Sequence, residues 1–190
     1  MRFWGPLSFA ALCIASAPAV AQDFGVSEIR GGPALSSLEL LPQLFFVPDT
    51  QSLNVAKLDS AQFDVLFRSP ELDVFRWLGS PRPSIGTVIS LSGHESLVHA
   101  GLDWHVPLGS SAFYLEAGLG VGIHNGYLNN APAGYRDLGC RTLIHWEYGA
   151  GVNLSDKVTL TAQWQHMSDF IQCSPNQGLN NIGLVLGWKF

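Results

Sequence analysis

The stretch FYLEAGLGVGI, residues 113–123, alternates between apolar side chains and residues that are mostly glycine or polar. A period of two predicts a β-strand, because successive side chains of a strand point to opposite faces. One face carries Phe113, Leu115, Ala117, Leu119, Val121 and Ile123, and the other carries Tyr114, Glu116, Gly118, Gly120 and Gly122. The first face is therefore expected to meet an apolar medium, and the second to line a crowded polar interior.

The same division into an apolar and a polar face recurs along the chain. Residues 144–154 place His145 and Glu147 opposite the apolar side chains, and residues 98–106 do the same with a second set of polar residues. Further alternating segments lie near residues 24–31, 62–69, 84–92, 158–167 and 182–190. Eight strands of about ten residues predict an all-β fold, namely an eight-stranded antiparallel transmembrane β-barrel of the outer membrane.

The connections between these strands are expected to differ in length at the two ends of the barrel. Short turns fall at Pro107–Ser110 and Ser155–Lys157, and longer connections at 124–141 and 169–180. Residues 33–60, with the leucine-rich stretch Leu38–Phe46, are expected to be a long connection or part of a strand. Residues 70–83, rich in proline, are expected to be a turn region.

The two ends of the sequence predict export and membrane insertion. Residues 1–21 fit a signal peptide, with Arg2 as the basic start, an apolar stretch to Ala19, and Ala19-Val20-Ala21 as the cleavage site; Cys13 would be removed with it. Residues 22–190 then form the barrel, and its last strand ends in the aromatic Phe190, as is typical of outer-membrane strands. The alternative is a soluble periplasmic β-sandwich. We expect the cell outer membrane of a Gram-negative bacterium.

Composition restricts the function further. Charged residues make up 13% of the chain, and the formal net charge is −5. Nucleic-acid binding is not expected, because phosphate contact requires clustered cations. Six titratable residues share the predicted lumen: His99, Asp103, His105, Glu116, His145 and Glu147. We expect them to form a hydrogen-bonded polar plug; the alternative, a metal site, is not favoured by their spacing.

The seventh predicted strand carries two polar residues on the lipid-facing side. Counting by twos from Val158 places His166 and Ser168 with Leu160 and Trp164, facing outward. Polar groups aimed at hydrocarbon are unfavourable and suggest a function. At ~3.3 Å per residue and a tilt of ~40°, His166 lies roughly 25 Å above the turn, at the outer edge of the apolar band. His166 could take the Ser168 proton so that the hydroxyl attacks an ester. The alternative is two polar residues that contact water or headgroups.

A set of motifs carries a resemblance to a known family. The sequence His166-Met-Ser-Asp-Phe170 is followed by Pro175-Asn-Gln-Gly178 and a terminal aromatic strand. It resembles the end of the lipid A 3-O-deacylase family (PagL-like, also called acyloxyacyl hydrolases), in which His-x-Ser-Asn-Ala precedes Pro-Asn-x-Gly. Upstream stretches resemble it too: 115–121, 124–126, 138–139 and 147–151. The resemblance implies hydrolysis of the ester-linked 3-hydroxyacyl chain at the 3-position of lipid A, without metal or cofactor. It implies Ser168 as nucleophile and His166 as general base.

The sequence departs from the family pattern at two positions. Asn180 stands where the characterised deacylase has Glu, and Asp169 where the family has Asn. An amide can orient a histidine through its carbonyl oxygen, so Asn180 is the expected orienting residue and Asp169 the alternative acid. Backbone amides near Asp169 and the Asn176 side chain are candidates for oxyanion donors.

Several further expectations remain open at this stage. Cys140 and Cys173 fall in neighbouring loops and are expected to form a disulfide; the alternative is two unpaired thiols. The partners expected are lipopolysaccharide, through lipid A, and the outer membrane, and a homodimer is compatible with the sequence. The rival functions are a non-catalytic structural or adhesion barrel with a degenerate site and an acyl transferase.

Overall fold

A computed structural model describes residues 25–36, 58–169, 173–175 and 177–190 of the protein. Eight antiparallel strands form a closed barrel in sequence order: β1 (Val26–Leu35), β2 (Ser60–Phe67), β3 (Arg82–Ser90), β4 (Leu97–Pro107), β5 (Phe113–His124), β6 (Thr142–Asn153), β7 (Val158–Ser168) and β8 (Leu179–Lys189). The predicted fold class is confirmed. The predicted signal segment 1–21 with Cys13, the stretch Leu38–Phe46, Phe170 and Asn176 lie outside the described residues.

Each strand pairs with its neighbours in sequence, and β1 pairs with β8 to close the barrel. The β1–β8 register runs from Glu28↔Lys189 to Gly31↔Leu186 and resumes at Ala34↔Gly183. Closure leaves no exposed strand edge in this sheet, which is what a lipid environment requires of backbone N–H and C=O groups. Among the described residues, no helix has the length and apolar character needed to cross a membrane.

The two ends of the barrel differ. We call the end with the connections 36–59, 91–96, 125–141 and 169–178 the loop end. The opposite end, which we call the turn end, has the connections 68–81, 108–112 and 154–157 together with both ends of the barrel sheet. The predicted asymmetry therefore holds for 125–141 and 169–178 against the two short turns. It does not hold for 68–81, which is long although it lies at the turn end.

Side-chain exposure follows the predicted alternation. On β5, Leu119 and Val121 are 54% and 55% exposed, whereas Glu116 is 4% exposed. Other apolar side chains of the outer wall are likewise exposed, including Ile85, Val98, Tyr148, Leu184 and Trp188. Apolar residues therefore form the outer surface, and polar residues fill much of the inside, which is the reverse of a soluble protein. A buried apolar cluster that includes Leu97, Leu143 and Met167 occupies the inside at the loop end.

The lumen is filled by an ion-pair and hydrogen-bond network. Arg30 donates to both carboxylate oxygens of Glu116 at 2.6 Å and to Glu28 at 2.9 Å. Arg82 contacts the same two carboxylates at 2.9 Å. His99 and His145 stack with ring centroids 4.0 Å apart. The predicted polar plug is therefore present, and it includes three residues that the sequence analysis did not identify: Glu28, Arg30 and Arg82.

Glycines on the inner face make room for these side chains. A Cβ atom at Gly118 would lie 2.5 Å from Cγ of Glu147 and 3.1 Å from Oδ1 of Asp103. Gly118 therefore leaves room inside the narrow barrel for polar side chains of the two neighbouring strands, β4 and β6.

Several sequence-based boundaries were wrong. The last connection, expected at 169–180, ends earlier, because β8 begins at Leu179 and includes Asn180. The first strand, expected at 24–31, extends through Gly32 and Pro33 to Leu35. Gly-Pro sequences normally end a strand, but a Cβ at Gly32 would overlap the Leu184 carbonyl of β8, so this glycine permits close approach of the two strands. The region 70–83, expected to be a turn, contains a short helix, α1 (Asp73–Trp77), and gives its last two residues to β3.

Candidate active site

The outward set of β7 carries the two candidate catalytic residues. Gln163, Gln165 and Met167 are buried in the lumen, whereas Trp164, His166 and Ser168 alternate with them and are partly exposed on the outer wall. The predicted orientation of His166 and Ser168 is confirmed. Both lie in the last three residues of β7, close to the loop end.

Strand register places His166 between two cross-strand neighbours. Its partner on β6 is Trp146 and its partner on β8 is Asn180. Directly opposed residues of adjacent strands have their Cβ atoms about 4.5–5.5 Å apart, so three side chains form one row across the outer wall. The three residues lie on one face because each belongs to the outward-facing set of its own strand.

Asn180 holds the histidine ring through one nitrogen. Its side-chain oxygen Oδ1 lies 2.7 Å from Nδ1 of His166. An amide oxygen only accepts hydrogen bonds, so Nδ1 donates, and the other ring nitrogen, Nε2, carries the lone pair in the neutral imidazole. Asn180 is 5% exposed although it belongs to the outward row, so this hydrogen bond is shielded from solvent.

Two tryptophans pack against the imidazole. The Trp146 ring is stacked on His166 with centroids 4.9 Å apart and planes 23° apart, and the Trp164 ring lies 5.8 Å away. These contacts restrict rotation of the imidazole about its side-chain bonds. Neither residue is recognisable as part of the site from the sequence, because each fits the apolar pattern of a lipid-facing strand. Trp164 shares the outward face of β7 with His166, whereas only the β6–β7 register brings Trp146 beside the histidine.

Ser168 is the next outward residue toward the loop end. It is paired with Ile144 of β6. Side chains two residues apart on one strand face have Cα atoms ~6.5–7 Å apart, a separation that an imidazole can bridge to a hydroxyl. Ser168 therefore lies one outward position beyond His166 on β7, next to the loop end.

Gly178 lies against the histidine from the loop side. Its φ is +60°, and a Cβ there would lie 3.3 Å from Cε1 and 3.6 Å from Nε2 of His166. A side chain at this position would be strained in its backbone and would crowd the lone-pair nitrogen. The glycine of the Pro-Asn-Gln-Gly motif therefore keeps the space beside Nε2 open.

Asp169, the residue that follows β7, is buried. It is 3% exposed, and its Oδ2 accepts a hydrogen bond from the backbone N–H of Cys173 at 2.6 Å. This carboxylate therefore fixes the chain that leaves the end of β7. Asn176, a candidate oxyanion donor, lies outside the described residues.

Covalent and polar contacts tie two loops together beside the site. Cys140 and Cys173 form a disulfide with Cα atoms 5.7 Å apart, which confirms the predicted pairing. The Gln177 N–H donates to the Asp137 carbonyl oxygen at 3.0 Å, and the Asp137 N–H to Oε1 of Gln177 at 2.7 Å. Arg136 reaches the carbonyl oxygens of Gln177 and Gly178. Loop 125–141 therefore supports the segment that carries Gly178.

The same disulfide bears on metal binding. Ligand atoms of Cys140, Asp169 and Cys173 lie within 4.8 Å of one another. Cysteine binds metals as a thiolate, and both sulfurs are here engaged in a disulfide. This group therefore does not offer a metal-binding set in the oxidised protein.

Comparisons with known proteins agree with the fold and with the motifs. A family model described as lipid A 3-O-deacylase (PagL) matches residues 63–189. No curated protein matches the sequence. The fold is similar to that of the crystal structure of the outer membrane enzyme PagL, with 12% identity, a TM-score of 0.54, and coverage of 87% of this chain and 100% of that chain.

Two other solved barrels are similar at comparable levels. The N-terminal β-barrel domain of Pseudomonas aeruginosa OprF has 9% identity and a TM-score of 0.52, covering 87% of this chain and 100% of that chain. Neisserial surface protein A (NspA) has 11% identity and a TM-score of 0.50, covering 87% and 96%. At these identities the structural matches show the barrel fold alone, whereas the family model covers more than half of the chain.

Proposed function

The chain belongs to the lipid A 3-O-deacylase (PagL) family and is a barrel of the Gram-negative outer membrane, and on that premise we propose that it hydrolyses lipid A by a Ser168–His166 mechanism. The bond cleaved is the ester of the 3-hydroxyacyl chain at the 3-position. The observation that carries the proposal is the row on the outer wall, where Asn180 holds His166 two residues before Ser168.

The position of this row suits a substrate that stays in the bilayer. In outer-membrane barrels the short turns face the periplasm, so the loop end of this barrel faces outward. His166 and Ser168 then lie near the outer limit of the apolar band, where acyl esters meet the sugar headgroup. Lipid A can reach the hydroxyl laterally, with its acyl chains still in the membrane.

The chemistry proceeds in two steps. Nε2 of His166 takes the Ser168 proton while Oγ attacks the ester carbonyl, and the bond to the sugar oxygen breaks as His166 returns the proton to that oxygen. A water molecule then attacks the acyl-enzyme with His166 again as base, which releases the 3-hydroxy fatty acid and restores Ser168. Asn180 keeps Nδ1 protonated and Nε2 directed toward the hydroxyl throughout.

A carboxylate beside a catalytic histidine both orients the ring and stabilises its protonated form, and Asn180 can fully supply only the orientation. It fixes the ring, but its neutral amide stabilises the imidazolium of the transition state less than an anion would. Asp169 is the second candidate for this charge, since its carboxylate lies directly after the nucleophile and is buried. We therefore expect a working but slower site than one with glutamate at position 180.

Mass spectrometry of lipid A tests the proposal in cells. Cells that express the wild-type chain should lose the mass of one 3-hydroxyacyl group from lipid A, and cells that express Ser168→Ala should not. Ser155→Ala, in a turn at the opposite end of the barrel, is the matched control and should behave as wild type. Unchanged lipid A in all three, with the barrel present in the outer membrane, would indicate a non-catalytic barrel. A gain of acyl mass would indicate an acyl transferase.

A further inference from the structure

The β2–β3 connection, residues 68–81, is unusual among the turns at the turn end. The other two, 108–112 and 154–157, are tight, whereas this one holds α1 and a group of exposed apolar side chains. Trp77 is 83% exposed, and Leu72, Val74 and Leu78 are exposed with it. Such a cluster in water is unfavourable, and it indicates a contact surface.

This connection lies against the outer wall of the barrel. Trp104 belongs to the outward set of β4, and its indole Nε1 donates to the Leu78 carbonyl oxygen at 2.7 Å. Gly79 lies beside the same ring, since a Cβ there would be 3.7 Å from it. The connection therefore runs over the side of the barrel, and does not extend straight away from its end.

The wall that it covers is the lipid-facing surface. Trp104 is paired with Ala117, and the next outward pair toward the turn end is Val106 and Leu115, both exposed. The apolar side chains of the connection are thus continuous with the apolar band of the barrel. Tryptophan is enriched where such a band meets the headgroups, because its ring has an apolar body and a polar N–H.

We propose that residues 72–78 are an interfacial anchor that inserts Trp77, Leu72, Val74 and Leu78 among phospholipids of the periplasmic leaflet. The occupant is a zwitterionic phospholipid surface. Charges in the connection balance, with Arg68 and Arg76 against Glu71 and Asp73, and Arg76 lies 3.5 Å from Asp73. A polybasic contact with anionic lipid is therefore not what this segment provides.

The anchor lies in the periplasmic leaflet, whereas the Ser168 site lies in the opposite leaflet of the same membrane. By fixing the turn end in its headgroup layer, it limits vertical displacement and tilt of the barrel. The inference requires only the membrane location, and it is independent of whether Ser168 is catalytic.

Fluorescence quenching tests the anchor in the full barrel folded into zwitterionic phosphatidylcholine vesicles. The contribution of Trp77 is obtained by subtracting the emission spectrum of Trp77→Phe from that of wild type. We expect this component to lose more than half of its intensity when the lipid carries bromine on its acyl chains near the headgroup, and to respond little to iodide in the water. Trp188→Phe gives the matched reference, because Trp188 lies on the lipid-facing side of β8 near the turn end.

Opposite quenching would overturn the proposal. A Trp77 component that iodide quenches and brominated lipid does not would place the side chain in water, available to a periplasmic protein. Brominated-lipid quenching that appears only when anionic lipid is added would overturn the choice of a neutral surface. Trp77→Phe retains an aromatic ring, so the fold is preserved, and unaltered heat-modifiable migration of the barrel in gels checks this directly.

Discussion

Polar side chains have different environments in the lumen of this barrel and on its outer wall near the loop end. In the lumen, the cations Arg30 and Arg82 are paired with the carboxylates Glu28 and Glu116. On the outer wall, His166 is hydrogen-bonded to Asn180 and flanked by the rings of Trp146 and Trp164. Buried networks fill a narrow barrel, whereas a polar group directed at lipid is unfavourable unless it acts on a substrate there. Substitutions in the two regions should therefore affect different measurements.

The largest expected effect is on turnover at the outer wall. His166→Gln removes the proposed general base, so the rate of 3-hydroxy fatty acid release should fall by roughly 10³–10⁴-fold. The free energy of unfolding should change by about 1 kcal/mol or less, because one hydrogen bond at a partly exposed position is lost. Turnover is measured on lipid A in vesicles, and stability by urea unfolding. A variant that retains near wild-type turnover would remove His166 from the mechanism.

Removing a charge from the lumen should lower the stability of the barrel and leave the turnover of folded molecules unchanged. Arg30→Ala leaves Glu28 and Glu116 with Arg82 as their remaining described cation, and should lower the free energy of unfolding by about 3 kcal/mol. The folded fraction should keep its turnover per molecule. Arg76→Ala, at an exposed ion pair, is the control and should leave unfolding unchanged. If Arg30→Ala abolished turnover in a barrel that is fully folded, the separation of the two regions would be wrong.

One substitution on the outer wall, Asn180→Glu, is expected to increase turnover. Asn180→Glu supplies the carboxylate that the family pattern has at this position, and it should raise the turnover rate by about 10-fold because the imidazolium is better stabilised. The double variant Ser168→Ala/Asn180→Glu should be inactive, which shows that the gain passes through the same nucleophile. A fall in turnover for Asn180→Glu would mean that Asp169 or another group already supplies the charge.

The smallest effect is expected at the loop-end rim, between the two regions. Burial raises the pKa of Asp59, but hydrogen bonds from the Ser36 N–H and the hydroxyls of Ser36, Ser92 and Ser60 outweigh it, so its pKa is lowered overall. A lowered folded-state pKa stabilises the protein above the ordinary Asp pKa of about 3.9, and this stabilisation is lost as the pH falls through the folded-state pKa.

Asp59→Asn isolates that contribution. Wild type should be slightly more stable than the variant at neutral pH, and the difference should shrink below about pH 4. Urea unfolding at pH 7 and at acidic pH measures it. A difference that grows on acidification would contradict the hydrogen bonding of Asp59 as an ionised group.

Much of this architecture could be predicted from the sequence, for a simple physical reason. Apolar and polar residues alternate with a period of two, so the parity of His166 and Ser168 follows from counting along one strand. What counting cannot supply is the register between strands. That register brings Trp146 and Asn180 to either side of His166, and it depends on closure of all eight strands. The motif resemblance identified Asn180, and nothing in the local sequence identified Trp146.

The regions that were predicted wrongly are those in which the structure departs from local sequence patterns. The first strand was expected to end near residue 31, but Gly32 permits close contact between β1 and β8, and the strand continues to Leu35. Arg30 was missed as the centre of the lumen network because Glu116 lies on β5, which faces β1 only across the barrel interior, although Glu28 lies two residues away on β1 itself. The helix α1 was hidden within a region bounded by prolines.

The most direct test of an activated serine facing the bilayer is covalent labelling from within the membrane. A long-chain alkyl fluorophosphonate dissolved in the vesicles reaches only side chains that open to lipid, and reacts with a serine whose proton a base removes. We predict a single adduct on Ser168, found by peptide mass spectrometry, that lipid A suppresses and that His166→Gln abolishes. An adduct that forms equally in His166→Gln, or no adduct on Ser168 in a folded wild-type barrel, would contradict the account.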